Sequence, residues 1–342
     1  MNRSLHWLSP GNPDQRTGGY LYNARIIAEL RELGWQIKVH ALPGPWPMPD
    51  RCSLPQIANI LCAIPRKTTI IADGLLWTGL EEQRNPVVTN HRVAVLVHSL
   101  LDQENRETKG NWREMETKAL AEAHAWITTS PATARILHDR LGRHTVPAAV
   151  VCPGTDPAKK AHGSDGTQLL CVATVTPRKA IRQLIAALVA LANRNWKLDI
   201  VGSTDRDSCY VSKVKADIDS AGLENRIHLR GELAGPVLEA AYQQADFLVH
   251  TARFEGFGMG IAEAIARGLP VISTNAGVLE LIPRSAYELV GSDDTNALTE
   301  AIRKLLDHRV KQRRMKAAAA TVQLPTWKDA AAGFESALET LL

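Results

Sequence analysis

The sequence predicts an α/β protein with two Rossmann-like domains, each built on a doubly wound parallel sheet. Short apolar runs typical of buried strands alternate with amphipathic helical runs along the chain. The alternation occurs in two series, separated by a polar stretch rich in turn residues. The 342 residues are enough for two domains that each bury a core of their own. Because parallel strands need crossover helices, we expect helices on both faces of each sheet.

The strand-like runs define the two predicted domains. The first series comprises residues 4–8, 36–42, 69–72, 93–98 and 125–129, and the second comprises residues 169–175, 198–201, 226–229, 247–250 and 271–273. Between them, the turn residues of 151–157 and the polar residues 159–167 are typical of a linker. The predicted domains are therefore 1–152 and 153–324. Ligands of such sheets bind outside the carboxyl ends of the strands, so we expect the active site in a cleft between the domains.

Composition disfavours several classes of protein. With 45% hydrophobic and 22% charged residues the chain is typical of a soluble globular protein, and its net charge of +4 is too small to indicate nucleic acid. The five cysteines are scattered without a Cys-x-x-Cys pair, which disfavours a disulfide framework or a zinc site. No apolar run reaches the roughly 20 residues of a membrane span, and the polar opening MNRSLHWLSPG is unlike a signal peptide. We therefore expect a cytoplasmic protein.

The most informative stretch is residues 252–274, ARFEGFGMGIAEAIARGLPVIST. It predicts a glycine-rich loop, a helix from about Gly258, and a strand. Glu255 lies on the loop and Glu263 inside the helix, on either side of the helix N-terminus. The N–H groups there suit a diphosphate, and the carboxylates suit sugar and ribose hydroxyls. The pattern favours a nucleoside-diphosphate sugar as ligand; the alternative is a glycine-capped helix with two surface glutamates.

This stretch resembles the signature of the retaining GT-B glycosyltransferases of family 4, a Glu, seven residues and a second Glu, within a run like Phe254-Glu255-Gly256-Phe257-Gly258. The resemblance implies a GT-B fold, in which two Rossmann-like domains face each other across a cleft. The first domain would take the acceptor and the second the donor, and a C-terminal helix, residues 325–342, would cross back to the first. The reaction would move a hexosyl unit from a UDP-sugar or GDP-sugar with retained anomeric configuration, without a cofactor or a metal.

The same resemblance implies roles for single residues of the stretch. Glu255 would contact the donor sugar, as a hydroxyl acceptor or as a stabiliser of a cationic transition state, and Glu263 would hold the ribose. Backbone N–H groups would meet the sugar or the phosphates around Phe257, Gly258 and Met259.

A basic segment, Thr176-Pro177-Arg178-Lys179, follows the first strand of the second domain and resembles the family's segment that neutralises the donor diphosphate. Two cations beside a helix start suit a leaving group that gains negative charge. The chain departs from the commoner motif at Thr174, where the family has Arg, and at Ala180, where it has Gly. Lys179 carries over directly and Arg178 as a substitute for the absent Arg; the alternative is a solvated charge pair.

Two patches of the predicted first domain would complete the cleft. Gly18 and Gly19 follow the first strand and open a helix, so their N–H groups could approach the diphosphate or the acceptor. His98 ends the apolar run VAVLVH, and family members often carry a His there, near the donor sugar. A structural turn and a structural histidine are the alternatives.

The acceptor is predicted only as a class, a lipid or a saccharide. An apolar helical stripe in the first domain is typical either of core or of a membrane-surface patch, which would bring the protein to the inner face of the membrane. Its residues are Leu54, Ile57, Ile60, Leu61 and Ile64.

Two other functions stay open at this point. The first is an NAD-dependent oxidoreductase or epimerase on a doubled Rossmann scaffold, although the glycines at 256, 258 and 260 do not match the dinucleotide fingerprint. The second is a catalytically inactive sugar-nucleotide-binding module. Asp205-Arg206-Asp207 is a weak candidate for a metal site and is interpreted as a polar loop.

Overall fold

A computed structural model describes residues 3–104, 110–142 and 146–341. The chain divides into two compact units. The first comprises the described residues up to Gly154 together with those from Pro325 onward, and the second is Thr155–Leu324.

The first unit contains a six-stranded parallel sheet in the order β2-β1-β3-β4-β5-β6. Its strands are β1 (Ser4–Pro10), β2 (Gln36–Leu42), β3 (Thr69–Asp73), β4 (Arg92–Val97), β5 (Ala125–Thr128) and β6 (Ala148–Val150). The helices between them are α1 (Gly18–Glu32), α2 (Leu54–Cys62), α3 (Gly74–Gly79), α4 (Glu81–Asn90), α5 (Leu101–Glu104), α6 (Trp112–Ala121) and α7 (Pro131–Leu141).

The second unit contains a six-stranded parallel sheet in the order β9-β8-β7-β10-β11-β12. Its strands are β7 (Gln168–Val172), β8 (Lys197–Val201), β9 (Ile227–Gly231), β10 (Phe247–His250), β11 (Val271–Ser273) and β12 (Tyr287–Leu289). Its α-helices are α8 (Ile181–Val189), α9 (Ser208–Ser220), α10 (Gly235–Gln244), α11 (Met259–Ala266), α12 (Thr295–Asp307) and α13 (Arg309–Ala320). Three 3₁₀ helices are Pro177–Lys179, Gly277–Leu281 and Arg284–Ala286.

The last helix, α14 (Trp327–Leu341), packs in the first unit. The ring of its Phe334 stacks on Trp7 of β1 at a centroid distance of 5.6 Å. Its Trp327 meets the ring of Tyr22 edge-on, and the guanidinium of Arg25 lies 5.0 Å from the Trp327 ring centroid. Leu342, the last residue of the terminal helix expected from the sequence, lies outside the described residues.

The sheets confirm the predicted α/β fold with two doubly wound, Rossmann-like parallel sheets. Every predicted strand forms, with ends that differ by a few residues at most. The two strands that the sequence pattern missed, β6 and β12, have three residues each, and unlike the equally short β11 they are not buried along their whole length.

Each strand order has one point from which the connections run in opposite directions. In the second unit this point lies between β7 and β10, and in the first it lies between β1 and β3. Loops after the two adjacent strands leave a crevice there, where open parallel sheets bind ligands.

The apolar stripe on α2 is mainly core. The side chains of Ile57, Leu61 and Ile64 are buried, whereas Leu54 and Ile60 are half-buried. The three buried side chains are not accessible to a membrane surface, so the stripe is a poor basis for membrane contact. Within the described residues, no helix combines the length and apolar character needed to cross a membrane.

Candidate functional site

The loops that follow β7 and β10 are joined at the switch point of the second unit. The N–H of Arg253 donates a 2.9 Å hydrogen bond to the carbonyl of Arg178. The Thr251 hydroxyl donates to the Lys179 carbonyl at 2.8 Å. The basic segment and the Glu255 loop, separated by more than seventy residues in sequence, are therefore held side by side.

An ion pair lies at this switch point. The ammonium of Lys179 donates to Oε2 of Glu255, and both side chains are largely buried, at 13% and 16% exposure. Burial alone would raise the pKa of Glu255, but the charges of Lys179 and Arg178 outweigh it and lower that pKa to about 2. Arg178 is anchored by a 3.0 Å hydrogen bond from its Nη1 to the carbonyl of Phe254. Glu255 is therefore a carboxylate across the physiological pH range.

His250 lies beside this pair and was missed in the sequence. It is the last residue of β10, it is 5% exposed, and its Nε2 lies 3.4 Å from Oε2 of Glu255. Burial, with the neighbouring cations, lowers the pKa of His250 to about 4, although Glu255 acts in the opposite direction. The imidazole is therefore neutral at pH 7. A histidine that ends an apolar strand directly before the Glu255 loop was the available signal.

The glycine-rich turn forms the N-terminus of α11. Gly258 has a φ of +99°, and a Cβ on it would lie 3.1 Å from Cδ1 of Ile261, so both backbone and space favour glycine. Phe257 is buried, and its carbonyl accepts a 2.8 Å hydrogen bond from the N–H of Val278. Met259 is the first helical residue, where N–H groups have no acceptor within the helix.

Glu263 belongs to a neighbouring buried cluster on α11. The hydroxyl of Tyr242, a fully buried residue of α10, donates to Oε2 of Glu263 at 2.7 Å. Burial raises the pKa of Glu263 above its ordinary value, while Tyr242 and Arg267 oppose that rise. The guanidinium of Arg267 lies 4.4 Å from the centroid of the Tyr242 ring and donates to Glu239 at 3.0 Å. The sequence had singled out neither Tyr242 nor Arg267.

One of the two positions where the chain departs from the family motif, Ala180, has an unusual backbone conformation. Ala180 joins the 3₁₀ helix of Arg178 and Lys179 to α8, and it has the left-handed φ of +51°. Left-handed backbone costs an alanine roughly 1–2 kcal/mol relative to the right-handed form, a penalty that glycine avoids. The structure thus gives a physical reason for glycine at this place, and the alanine here retains the same backbone form.

In the first unit, the predicted residues Gly19 and His98 come together. Gly18 begins α1, and a Cβ on Gly19 would lie 3.2 Å from Cδ2 of His98, the residue after β4. Nε2 of His98 lies 2.9 Å from Oδ1 of Asn23 and 3.5 Å from Oδ2 of Asp73. The sequence had singled out neither Asn23 nor Asp73.

Burial shifts the pKa values of His98 and Asp73 in this first-unit cluster towards their uncharged forms. Burial lowers the pKa of His98 to about 4. Burial raises the pKa of Asp73 to about 6, although a 2.9 Å hydrogen bond from the N–H of Leu75 opposes the rise. Because Oδ1 of Asn23 can only accept, this arrangement assigns the proton of the His98 ring to Nε2.

The Asp205-Arg206-Asp207 segment is confirmed as a loop with a structural carboxylate. Asp207 is the N-cap of α9, and its Oδ1 accepts a 2.8 Å hydrogen bond from the N–H of Tyr210. Among the described residues, no group of three or more His, Cys, Asp or Glu side chains is arranged to hold a metal ion.

Two Rossmann-like units, one with its cations, carboxylates and helix N-terminus at the switch point, have the architecture of the GT-B fold. Residues 154–322 match the family Glycosyl transferases group 1.

Curated relatives match part of the chain. The lipopolysaccharide core biosynthesis mannosyltransferase LpsB of Rhizobium meliloti (strain 1021) is 30% identical over 163 residues, 46% of this chain and 44% of LpsB. The D-inositol 3-phosphate glycosyltransferase of Corynebacterium glutamicum (strain R) is 24% identical over 253 residues, 68% of this chain and 60% of the relative. The chain thus spans less than half the length of LpsB.

Solved structures match the fold of the whole chain. A sucrose-phosphate synthase from Thermosynechococcus elongatus superimposes with a TM-score of 0.82 at 20% identity, covering 99% of this chain and 98% of the other. Anabaena Alr3699/HepE in complex with UDP and glucose superimposes with a TM-score of 0.77 at 17% identity, covering 98% and 99%. At these identities the likeness establishes the fold alone.

Proposed function

We propose that the chain is a retaining glycosyltransferase of family 4 that moves a hexosyl unit from a nucleoside-diphosphate sugar to an acceptor. The observation that carries the proposal is the Lys179–Glu255 pair, which lies at the β7/β10 switch point within the part of the chain that matches glycosyl transferases group 1. At this point, cations suited to a diphosphate lie beside a carboxylate suited to sugar hydroxyls.

The donor would lie along the second unit. Lys179, Arg178 and the first N–H groups of α11 supply positive charge for the diphosphate, so the proposed binding needs no metal ion. Glu263, on the helix that these N–H groups begin, would accept from the ribose hydroxyls. Glu255 would accept from a hydroxyl of the transferred sugar or stabilise positive charge on it. Anabaena Alr3699/HepE binds UDP and glucose, which supports a UDP-sugar, and the mannosyltransferase relatives make a GDP-sugar equally testable.

The chemistry that these groups support is stabilisation of the leaving diphosphate. As the bond between the anomeric carbon and the diphosphate oxygen breaks, negative charge grows on the diphosphate, and fixed cations lower the energy of that transition state. Retained configuration requires either a covalent intermediate or departure and attack on the same face of the sugar. His98 of the first unit is proposed to meet the donor sugar, and Gly18 and Gly19 the phosphates or the acceptor.

The acceptor is proposed to be a cell-envelope glycan precursor, either a saccharide or a lipid-linked saccharide. Relatives named for lipopolysaccharide core biosynthesis support this class. The proposed location is the cytoplasm, at the inner face of the membrane where the acceptor is lipid-linked.

The alternative of an NAD-dependent enzyme loses support from the position of the glycines. Dinucleotide-binding Rossmann domains carry their glycine fingerprint in the turn after the first strand. In the second unit that turn holds the 3₁₀ helix Pro177–Lys179, and the glycines 256, 258 and 260 instead follow β10, the fourth strand of the unit.

The test is a thermal-shift and calorimetric screen against UDP, GDP, ADP and NAD, since a ligand that binds the folded state raises the melting temperature. One nucleoside diphosphate should stabilise the wild type. Glu263→Ala should weaken its binding by about 1.5–3 kcal/mol, the value of a hydrogen bond to a charged group. The exposed Glu224 provides the matched control, Glu224→Ala, with unchanged affinity.

Turnover then separates an active enzyme from a binding module. The matching nucleotide sugar should be hydrolysed slowly in water, and NMR of the first-formed sugar should show the anomer of the donor. Glu255→Ala should depress this turnover more than it depresses diphosphate binding. Binding without any turnover, with any acceptor class, would support the inactive module, and stabilisation by NAD alone would overturn the proposal.

A further inference from the structure

Glu255 and the donor diphosphate compete for the same cation. In the structure the Lys179 ammonium is bound to Oε2 of Glu255. The proposed function, on which this inference rests, requires Lys179 to neutralise the diphosphate. A carboxylate that is 84% covered by protein is strongly destabilised if its cation leaves and nothing replaces it. Donor binding therefore creates a need for a second partner of Glu255.

His250 is placed to be that partner. Its side chain is 7% exposed, and its Nε2 lies 3.4 Å from the same Oε2 atom that Lys179 occupies. Within the described part of the chain, this Nε2 is a buried polar atom with no hydrogen bond. A buried polar group without a partner costs free energy that a hydrogen bond would recover. A shift of a few tenths of an ångström and a change of angle would bring the ring nitrogen into hydrogen-bonding geometry with the carboxylate.

The strand β10 holds the imidazole of His250, and the loop after β10 holds the carboxylate of Glu255. His250 is part of β10, which pairs with β11 through the register His250↔Ser273 and lies beside β7 in the middle of the sheet. The charged groups that face the ring are Glu255, Lys179 and Arg178. The two cations disfavour a third positive charge, so the ring is neutral and carries one N–H. A neutral ring can donate to Glu255 without repelling a diphosphate-bound Lys179.

We propose that His250 is the positioning residue of the donor-sugar subsite. When Lys179 leaves Glu255 to bind the diphosphate, Nε2–H of His250 donates a hydrogen bond to Oε2 of Glu255. Oε1 of Glu255 is then left for a hydroxyl of the sugar. The exchange keeps the carboxylate in place at the moment at which its cation is engaged elsewhere. No covalent bond changes in this step.

The exchange has a direct consequence for nucleotide affinity. Because Lys179 must leave Glu255 before it can bind a diphosphate, the ion pair opposes nucleotide binding. Glu255→Gln should therefore bind UDP, or GDP if that is the nucleotide which stabilises the wild type, at least as tightly as the wild type does. A loss of diphosphate affinity in Glu255→Gln would contradict the exchange.

The main experiment compares two variants of His250 with the wild type. His250→Leu removes the ring N–H, and His250→Gln supplies an amide N–H at similar reach. We expect both variants to bind UDP as the wild type does, within about twofold. His250→Leu should lower kcat for hydrolysis of the matching UDP-sugar by about ten- to a hundredfold, the loss expected for one hydrogen bond to a charged group. His250→Gln should restore most of this loss, with little change in KM.

The outcomes separate this inference from the proposed function. If the wild type binds no nucleoside diphosphate, the proposed function fails. If the wild type binds the diphosphate and turns over the donor, and His250→Leu has the same kcat, the positioning role is overturned. It is also overturned if both His250 variants lose diphosphate affinity and kcat together. Should His250→Leu fail to fold, ¹⁵N-histidine NMR of the wild type decides: the Nε2–H resonance of His250 should shift on addition of UDP, and an unchanged resonance would overturn the proposal.

Discussion

Two largely buried carboxyl groups, Asp73 in the first unit and Glu255 in the second, have similar surroundings, but their pKa values are shifted in opposite directions. Asp73 is the last residue of β3 and Glu255 follows β10, strands at the switch points of their sheets. Each lies within 3.5 Å of a buried histidine, His98 or His250, whose pKa is lowered to about 4 by burial. Nevertheless the pKa of Asp73 is raised to about 6, and that of Glu255 is lowered to about 2.

The difference comes from the partners and not from burial. Burial raises the pKa of both carboxyl groups. Asp73 has only dipolar partners that oppose this rise, above all the N–H of Leu75, whereas Glu255 has the full charges of Lys179 and Arg178. The first unit thus holds Asp73 by hydrogen bonds, and the second holds the Glu255 carboxylate beside cations. Hydrogen-bonding groups suit sugar hydroxyls, and fixed cations suit a diphosphate.

The largest expected effect comes from removing the cation of the second unit. Lys179→Met leaves Glu255 buried with its strongest stabilising charge gone. Breaking a buried ion pair from one side costs about 3–5 kcal/mol, and the partial exposure of both side chains favours the lower end of that range. Urea unfolding at pH 7 measures the loss, and calorimetry should show weaker diphosphate binding.

The double variant Lys179→Met/Glu255→Gln is the matched control for this prediction. It removes both charges at nearly constant shape, so most of the lost stability should return. Equal losses in the single and the double variant would mean that the charge on Glu255 is not what Lys179 stabilises, and the contrast with Asp73 would lose its basis.

The second prediction concerns the pH dependence of Asp73. Its pKa in the folded protein, about 6, lies above its ordinary value of 3.8, so the stability that it contributes is full below pH 3.8 and is lost as the pH rises towards 6. The loss amounts to about 3 kcal/mol, from about 2 pKa units at 1.36 kcal/mol each. Asp73→Asn retains the oxygen that caps α3 and removes the titration. Relative to the wild type, the variant should therefore gain stability as the pH rises from about 4 to about 6.

The stability of Asp73→Asn must be compared with that of the wild type at each pH, because His98 contributes its own pH dependence in the same interval. Its pKa of about 4 lies below its ordinary value of 6.5, so its contribution is lost as the pH falls through that interval, opposite to the trend of Asp73. Urea unfolding at pH 4, 5, 6 and 7 on both proteins isolates the Asp73 term. The exposed control Asp14→Asn should follow the wild type, and a pH-independent difference for Asp73→Asn would show that the carboxyl does not titrate in this interval.

The sequence predicted the local parts of the site and missed those made by packing. Glu255, Gly258 and Glu263 lie within nine consecutive residues that form a loop and the start of a helix. Their spacing alone therefore predicted where they lie relative to the helix N-terminus. The sequence assigned Lys179 and Glu255 to the same donor site but did not predict their ion pair, which forms because each follows a strand at the switch point.

The missed residues belong to distant segments or carry no distinctive spacing. Asn23 and Asp73 meet His98 from α1 and β3, and Tyr242 meets Glu263 from α10. Such contacts depend on how elements pack, which one sequence does not contain. The stripe on α2 shows the same limit: helical periodicity gives an apolar face but not what covers it, and the side chain of Ile57 proves to be fully buried.

The smallest expected effects come from the glycines that line the two clusters. Gly258→Ala would require an alanine at a φ of +99° and a contact of 3.1 Å with Ile261, so we expect a loss of roughly 1–3 kcal/mol. Gly19→Ala has no such backbone strain, and its new methyl would lie 3.2 Å from the His98 ring, a contact that a shift of the ring by a few tenths of an ångström would relieve. Alanine also favours a helix by about 1 kcal/mol over glycine, so the net change in unfolding free energy should be below about 1 kcal/mol. Urea unfolding ranks the two variants, and NMR of the His98 ring should report a shift only in Gly19→Ala. A larger loss in Gly19→Ala than in Gly258→Ala would mean that the first-unit cluster is the more rigid of the two.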